Sequence, residues 1–242
     1  MTRPFHWPST LPILSIQFAM RMSSTSGGRS ITGLEQVVVS SAGFWGGQIT
    51  FPVWRRGRGA DRSTMQLAAR SVLALAQGRV NAFLLPVCDR GNTPAYIEGE
   101  PKLPPETFDD GSMFDDGSGI VPREVPAHVG GDYEPGATRV IVNMLAGHAP
   151  QPGQYFSVGN RLFLIQHSEL YGGSLMAPFV PAYWELKVWP PVREAITDGD
   201  NVDFDRPHCL VRFATDDTAA LIIQHRSISE VTLGFVEAPP LS

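Results

Sequence analysis

The chain has 242 residues, 43% of them hydrophobic and 18% charged, which is enough apolar material for a packed core and excludes a wholly disordered protein. Its 24 glycines and 21 prolines interrupt regular elements often, so short strands between frequent turns are expected rather than an all-α fold. A net charge of −5 argues against a main role on nucleic acid or on an anionic membrane, because both need a basic face.

The apolar stretch from Leu11 to Met20 is interrupted by Pro12 and Gln17 and lacks a small-residue cleavage site, so it is not read as a signal peptide. No stretch approaches the roughly 20 apolar residues of a membrane helix, and a soluble chain without a membrane span is expected. Residues 1–94 read as an N-terminal β domain. Within it, Val37 to Val39, Gln48 to Trp54 and Val80 to Val87 have strand character, and Ile49, Phe51 and Val53 alternate onto one face of the second. One helix is predicted, over 63–77, as a lid on a sheet. Met65, Ala68, Ala69, Val72, Leu73 and Ala76 form its apolar stripe, Ser63 and Gln66 suit a capping box, and Gly78 supplies a left-handed stop. The basic run Arg55, Arg56 and Arg58 reads as a solvated turn.

Residues 95–136 read as an extended loop or linker. They hold a short repeat, Phe108-Asp109-Asp110-Gly111-Ser112 and Phe114-Asp115-Asp116-Gly117-Ser118. Asp-Gly pairs favour tight turns. Carboxylates around a glycine can also bind Ca²⁺, although the order of an EF-hand loop and its distal Glu are missing. Phe108, Met113 and Phe114 would be exposed in a monomer, so Phe108, Asp109, Asp110, Met113, Phe114, Asp115 and Asp116 are the candidates for an assembly interface.

Residues 137–242 read as a C-terminal β domain of sandwich or barrel type. Its candidate strands are Thr138 to Leu145, Tyr155 to Val158, Leu162 to Gln166, Tyr183 to Trp189, Val202 to Phe204, Cys209 to Phe213, Leu221 to Gln224 and Val231 to Val236. In the fourth of these, Trp184, Leu186 and Val188 point inward and Glu185 and Lys187 outward. The fold class expected is therefore mainly β, with one packed helix and two β domains of sandwich or barrel type joined by a long loop.

Catalytic signatures are missing: there is no G-x-S-x-G, P-loop, H-E-x-x-H or G-x-G-x-x-G. The six histidines (His6, His128, His148, His167, His208 and His225) are scattered, and Asp198, Asp200, Asp203 and Asp205 read as turn acids. Cys88 and Cys209 form neither a CxxC nor a disulfide framework, which fits a reducing compartment. No enzyme activity, metal or cofactor is expected. Trp45, Trp54, Trp184, Trp189 and Tyr183 raise a sugar-binding alternative, but most sit in strand patterns and are assigned to cores. A cell-envelope hydrolase is a further alternative that the missing motifs disfavour.

Several segments, in order, resemble the distal tail or minor tail proteins of long-tailed bacteriophages and related gene-transfer particles. They are Gly28 to Gln36, Trp45, the helix ending at Gly78-Arg79, and Pro86 to Asp89. The doubled Phe-Asp-Asp-Gly-Ser, Gly153 to Gly159, Trp189 to Ala195 and Phe204 to Pro207 complete the set. Members of that family usually carry serine where Asp109 and Asp115 stand. The resemblance implies a structural protein of the virion tail, assembled in the host cytoplasm. It would self-associate into a ring, often a hexamer, that joins the tail tube protein to hub and fibre proteins. It implies no catalytic residue.

Overall fold

The computed structural model describes residues 3–22, 24–29, 32–33, 35–39, 43–52, 61–87, 92, 94–96, 127–144, 148–173, 182–216 and 230–239. The chain runs through β1 (Phe5–His6), β2 (Ser15–Arg21), β3 (Ser24–Arg29), β4 (Glu35–Val39), β5 (Phe44–Pro52), α1 (Asp61–Ala76), β6 (Phe83–Pro86) and β7 (Ala95–Tyr96). It continues through β8 (Ala127–Val129), β9 (Arg139–Met144), β10 (His148–Ala149), β11 (Tyr155–Val158), β12 (Arg161–Gly173), β13 (Ala182–Trp189), β14 (Val202–Asp203), β15 (His208–Phe213) and β16 (Glu230–Glu237). The fold is mainly β, as expected, with one helix among the described residues. No helix there is long and apolar enough to cross a membrane.

The division into units differs from the sequence reading. One unit comprises Met1–Cys88 with His208–Ser242, and the other is Asp89–Pro207, inserted between them. The strands expected to end a C-terminal domain at 137–242 pair instead with the N-terminal ones: β15 lies on β6, and β16 on β5. The supposed linker at 95–136 contains β7 and β8, and β8 belongs to the inserted unit's sheet.

In the first unit a six-stranded sheet has the order β1-β6-β15-β16-β5-β2. Alternation builds its main buried face: Ile49 and Phe51 on β5 stand opposite Leu233 and Val231 on β16, and Phe83 on β6 opposite Val211 on β15. Aromatic rings bind this face together. Phe83 meets Phe213 at 5.0 Å, and Trp7 meets Phe51 at 5.3 Å. On the other side of the sheet Leu84, Leu210 and Ala238 make a smaller cluster, so β6 and β15 are buried on both faces. The buried Glu237 carboxylate accepts the Trp45 N–H at 3.0 Å, carrying the β5–β16 ladder past its last backbone pair, Val236 with Gly46.

Gly47 permits the closest approach in this sheet. Phe18 on β2 and Phe235 on β16 flank it in register, and their rings meet at 5.3 Å. A Cβ on Gly47 would lie 1.7 Å from the Gln17 carbonyl oxygen and 3.0 Å from the Phe235 ring.

α1 buries Ala69, Val72 and Ala76, at i, i+3 and i+7. It begins at Asp61, which places Ser63 inside the first turn rather than at the cap position. At the other end both Gln77 (φ 47°) and Gly78 (φ 66°) are left-handed. Asn81 closes the terminus: its backbone N–H donates to Ala76 O at 3.0 Å and its side-chain amide to Leu75 O at 2.6 Å. Next to the turn, the exposed Arg79 and Asp216 form an ion pair at 2.8 Å, and hydrogen bonding from Arg79 holds the Asp216 carboxyl below its usual range.

The inserted unit is a small antiparallel barrel of order β14-β11-β12-β13-β9-β8. β11, β12 and β13 form a meander, and β14 returns beside β11, which is a Greek key. The ends of the order meet. Val129 N–H donates to Asp200 O, Gly199 N–H to Val129 O, and His128 bridges Asn201, so β8 closes against the segment leading into β14. The sheet is thereby nearly closed, and β8 and β14 cover one another's edges where they meet. Inside lie Phe156, Phe163, Phe204, Leu186, Val188, Val140, Val142 and Met144, with Trp184 packed against them. The inward course of Trp184, Leu186 and Val188 thus follows their sequence pattern.

Asn92 acts as a missing strand residue in this barrel. Its side chain accepts the Tyr155 N–H at 2.5 Å and donates to the carbonyls of Tyr155 at 2.6 Å and Phe204 at 2.9 Å. Asn92 is buried, so Asn92→Ala would remove three hydrogen bonds to the backbone of Tyr155 and Phe204. We expect it to destabilise the unit by about 2–3 kcal/mol, read as a lower midpoint in thermal unfolding.

Candidate functional site

Two surfaces stand out, one on each unit. The first grows out of the hairpin β2–β5. Its strands pair in register from Ser15 with Thr50 to Arg21 with Phe44, and the chain then continues as a second ribbon. In that ribbon β3 and β4 pair Ser24 with Val39, Thr25 with Val38 and Ser26 with Val37. The register shifts after Ser26 and resumes at Arg29 opposite Glu35. β3 and β4 form a two-stranded sheet separate from the six-stranded one. Six residues at about 3.3 Å each give this ribbon a contour of roughly 20 Å. The Ser26 hydroxyl donates to Glu35 at 2.5 Å, a cross-strand link near the tip.

Every ribbon side chain described is exposed: Ser24, Ser26, Glu35 and Val37, the last at 53%. Met20, Met22 and Phe44, at the ribbon's root, are exposed as well. β2 also ends the six-stranded order on that side. A two-stranded ribbon is marginally stable in water unless a face is covered, and a terminal strand offers unpaired backbone groups to a further strand.

The second surface is the outside of the barrel where β12, β13 and β9 lie side by side. Glu185 pairs in register with Glu169 on one side and Ile141 on the other; Tyr183 pairs with Gly172 and Asn143. His128 on β8 extends that second row. β12 carries two bulges, at Gln166 and at Tyr171. The second leaves Tyr171 as an extra residue beside Tyr183, with Tyr171 66% and Tyr183 36% exposed. Arg139 is ion-paired with Glu185. Tyr133 stands at the rim, its hydroxyl accepting the Ile141 N–H at 2.7 Å. Burial, the largest influence, raises the Tyr133 hydroxyl above its ordinary pKa; the hydrogen bond from Ile141 opposes this, and Glu185, Asp198 and Tyr171 add to the rise.

The assembly candidates Phe108, Asp109, Asp110, Met113, Phe114, Asp115 and Asp116 lie outside the described residues, as do Arg55, Arg56, Arg58, Trp54, Cys88, His225 and the strand expected at 221–224. Trp45 and Trp189 are buried and Trp184 packs on the barrel core, so of the aromatic set only Tyr183 reaches the surface among the described residues. The aspartates near 200 serve turns: Asp200 accepts from the Thr197 N–H and hydroxyl, and Asp203 from the Arg206 N–H. Among the described residues no three His, Cys, Asp or Glu side chains are grouped as a metal site would require. Cys209 is buried. Tyr171 was not among the sequence candidates; the signal that could have found it is the Tyr171-Gly172-Gly173 run, since glycines inside a strand often mark a bulge.

No protein-family model matches the chain, and no curated protein matches it.

Proposed function

We propose that this chain is a structural component of the tail tip of a long-tailed bacteriophage or related gene-transfer particle, a distal tail protein that works by shape and contact. Copies of the chain join in a ring, often a hexamer, between the tail tube and the hub and fibre proteins. The observation that carries the reading is the ribbon β3–β4, whose described side chains are all exposed and whose root displays Met20, Met22 and Phe44. Such a ribbon gains its stability from a neighbour. Ring contacts are heterologous, one patch meeting a different patch on the next copy, and a projecting arm suits that geometry. The order of segments from Gly28 to Pro207 that resembles tail-tip proteins supports the same reading, and of its first segment Gly28 and Arg29 lie in β3 and Glu35 and Gln36 in β4.

The test is removal of the arm. Deleting residues 24–39 leaves β2 and β5 to pair as they do now, and deleting 108–118 separately removes the repeat. The expected result is that each deletion keeps the circular dichroism of the intact protein but shifts the assembled species toward monomer in sedimentation. If both deletions assemble and incorporate into particles like the parent chain, the reading fails.

A further inference from the structure

The outer face of the barrel carries a pattern that ring assembly does not require. Two exposed tyrosines on neighbouring strands stand at one end of it, and two carboxylates, Glu169 and Glu185, face each other directly across the same pair of strands at the other. Side chains two apart on one face of a strand are separated by roughly 7 Å, and direct cross-strand partners by roughly 5 Å. The four groups therefore frame a patch about the size of one sugar ring. Like charges directly opposite are unfavourable in a sheet. Arg139 offsets Glu185 from the β9 side and leaves Glu169 exposed. Lys187 and His167 pair in register just beyond the carboxylates, and Asn143 and His128 continue the tyrosine row.

Each group matches one part of a pyranose. The ring's axial C–H bonds form an apolar face that stacks on an aromatic plane, while its vicinal hydroxyls suit planar acceptors and donors such as carboxylate, amide and guanidinium. The bulge supplies the device: it inserts Tyr171 as an extra residue and re-aims it beside Tyr183, as bulges do near functional sites. We propose that this face binds a pyranose unit of a carbohydrate, with Tyr171 and Tyr183 as the stacking platform and Glu169 and Glu185 as partners of its hydroxyls. A protein partner would be expected to meet a desolvated apolar centre ringed by polar groups. Here the aromatics stand at one end and the carboxylates at the other, with no apolar centre ringed by polar groups. The inference is independent of ring formation.

The experiment uses the full chain. It is screened on a glycan array, and the best binder is titrated by calorimetry beside lactose, maltotriose and chitotriose as soluble probes. Saturable binding is expected. Tyr171→Ala and Tyr183→Ala should each weaken it about tenfold, the order expected when one stacked aromatic plane is lost. Tyr171→Phe and Tyr183→Phe should retain it, because the plane survives. Glu169→Gln should weaken it, while the unfolding midpoints of all variants stay close to the parent's. Absence of saturable binding to any sugar, or binding undiminished in the double tyrosine-to-alanine variant, overturns the proposal. So does a double variant whose only change is a loss of oligomer, since the face would then be a protein contact.

Discussion

Gly47→Ala should cost the first unit about 3 kcal/mol, the upper range for overpacking a filled site. The new methyl carbon would fall 1.7 Å from the Gln17 carbonyl oxygen, which is backbone and has no rotamer to change. Phe235 closes the opposite side at 3.0 Å. Relief requires β2 to move away from β5, which breaks the ring contact between Phe18 and Phe235 and loosens the hairpin from which the ribbon grows. The expected signature is a fall in the unfolding midpoint of the first unit together with loss of assembly. An unchanged midpoint would show that the close approach has slack.

Phe156→Ala should destabilise the inserted barrel by about 3–5 kcal/mol, the usual cost of deleting a large aromatic from a core. Phe156 is fully buried and meets both Phe163 and Phe204 at 5.4 Å, so its loss strips contacts from three of the barrel's six strands or their flanks. A closed barrel has little freedom to collapse onto the hole, because any strand that moves inward must break a ladder on each side. The chain divides into two units, and calorimetry should separate the variants accordingly: Phe156→Ala lowers one transition and Gly47→Ala the other. A single transition that both variants lower equally would contradict this independence.

Local alternation carried most of the fold. β11 runs from Tyr155 to Val158 as its composition indicates, and the inward residues of β5 and β13 are those of the period-two pattern. The domain plan was not legible, because it depends on pairing between distant segments. Thr50 and Thr232 share a cross-strand hydrogen bond at 2.9 Å although 182 residues separate them, and nothing in either segment names the other. β3, with sequence Ser-Thr-Ser-Gly-Gly-Arg, has almost no strand propensity and owes its form to β4 and to continuity with β2. β8 is three residues in a proline-rich stretch and becomes a strand because it closes the barrel.

The candidate sites show the same division. The period-two reading of β12 stopped at Gln166, where a bulge inserts one residue and reverses the phase of the alternation. The strand continues to Gly173, and its second bulge creates the exposed position of Tyr171. A pattern search of fixed period has no means of following such a shift. Half of the ribbon is legible in the sequence, since Val37 to Val39 read as a strand and lie in β4, whereas β3 and the exposure of both strands are properties of the folded hairpin.

In the proposed ring the ribbon's surface is completed by another copy of the chain. Electron microscopy of the purified protein at micromolar concentration decides this. Closed rings of identical copies are expected, with β3 and β4 of each copy lying against its neighbour; a lone monomer whose ribbon meets only solvent would refute the proposal.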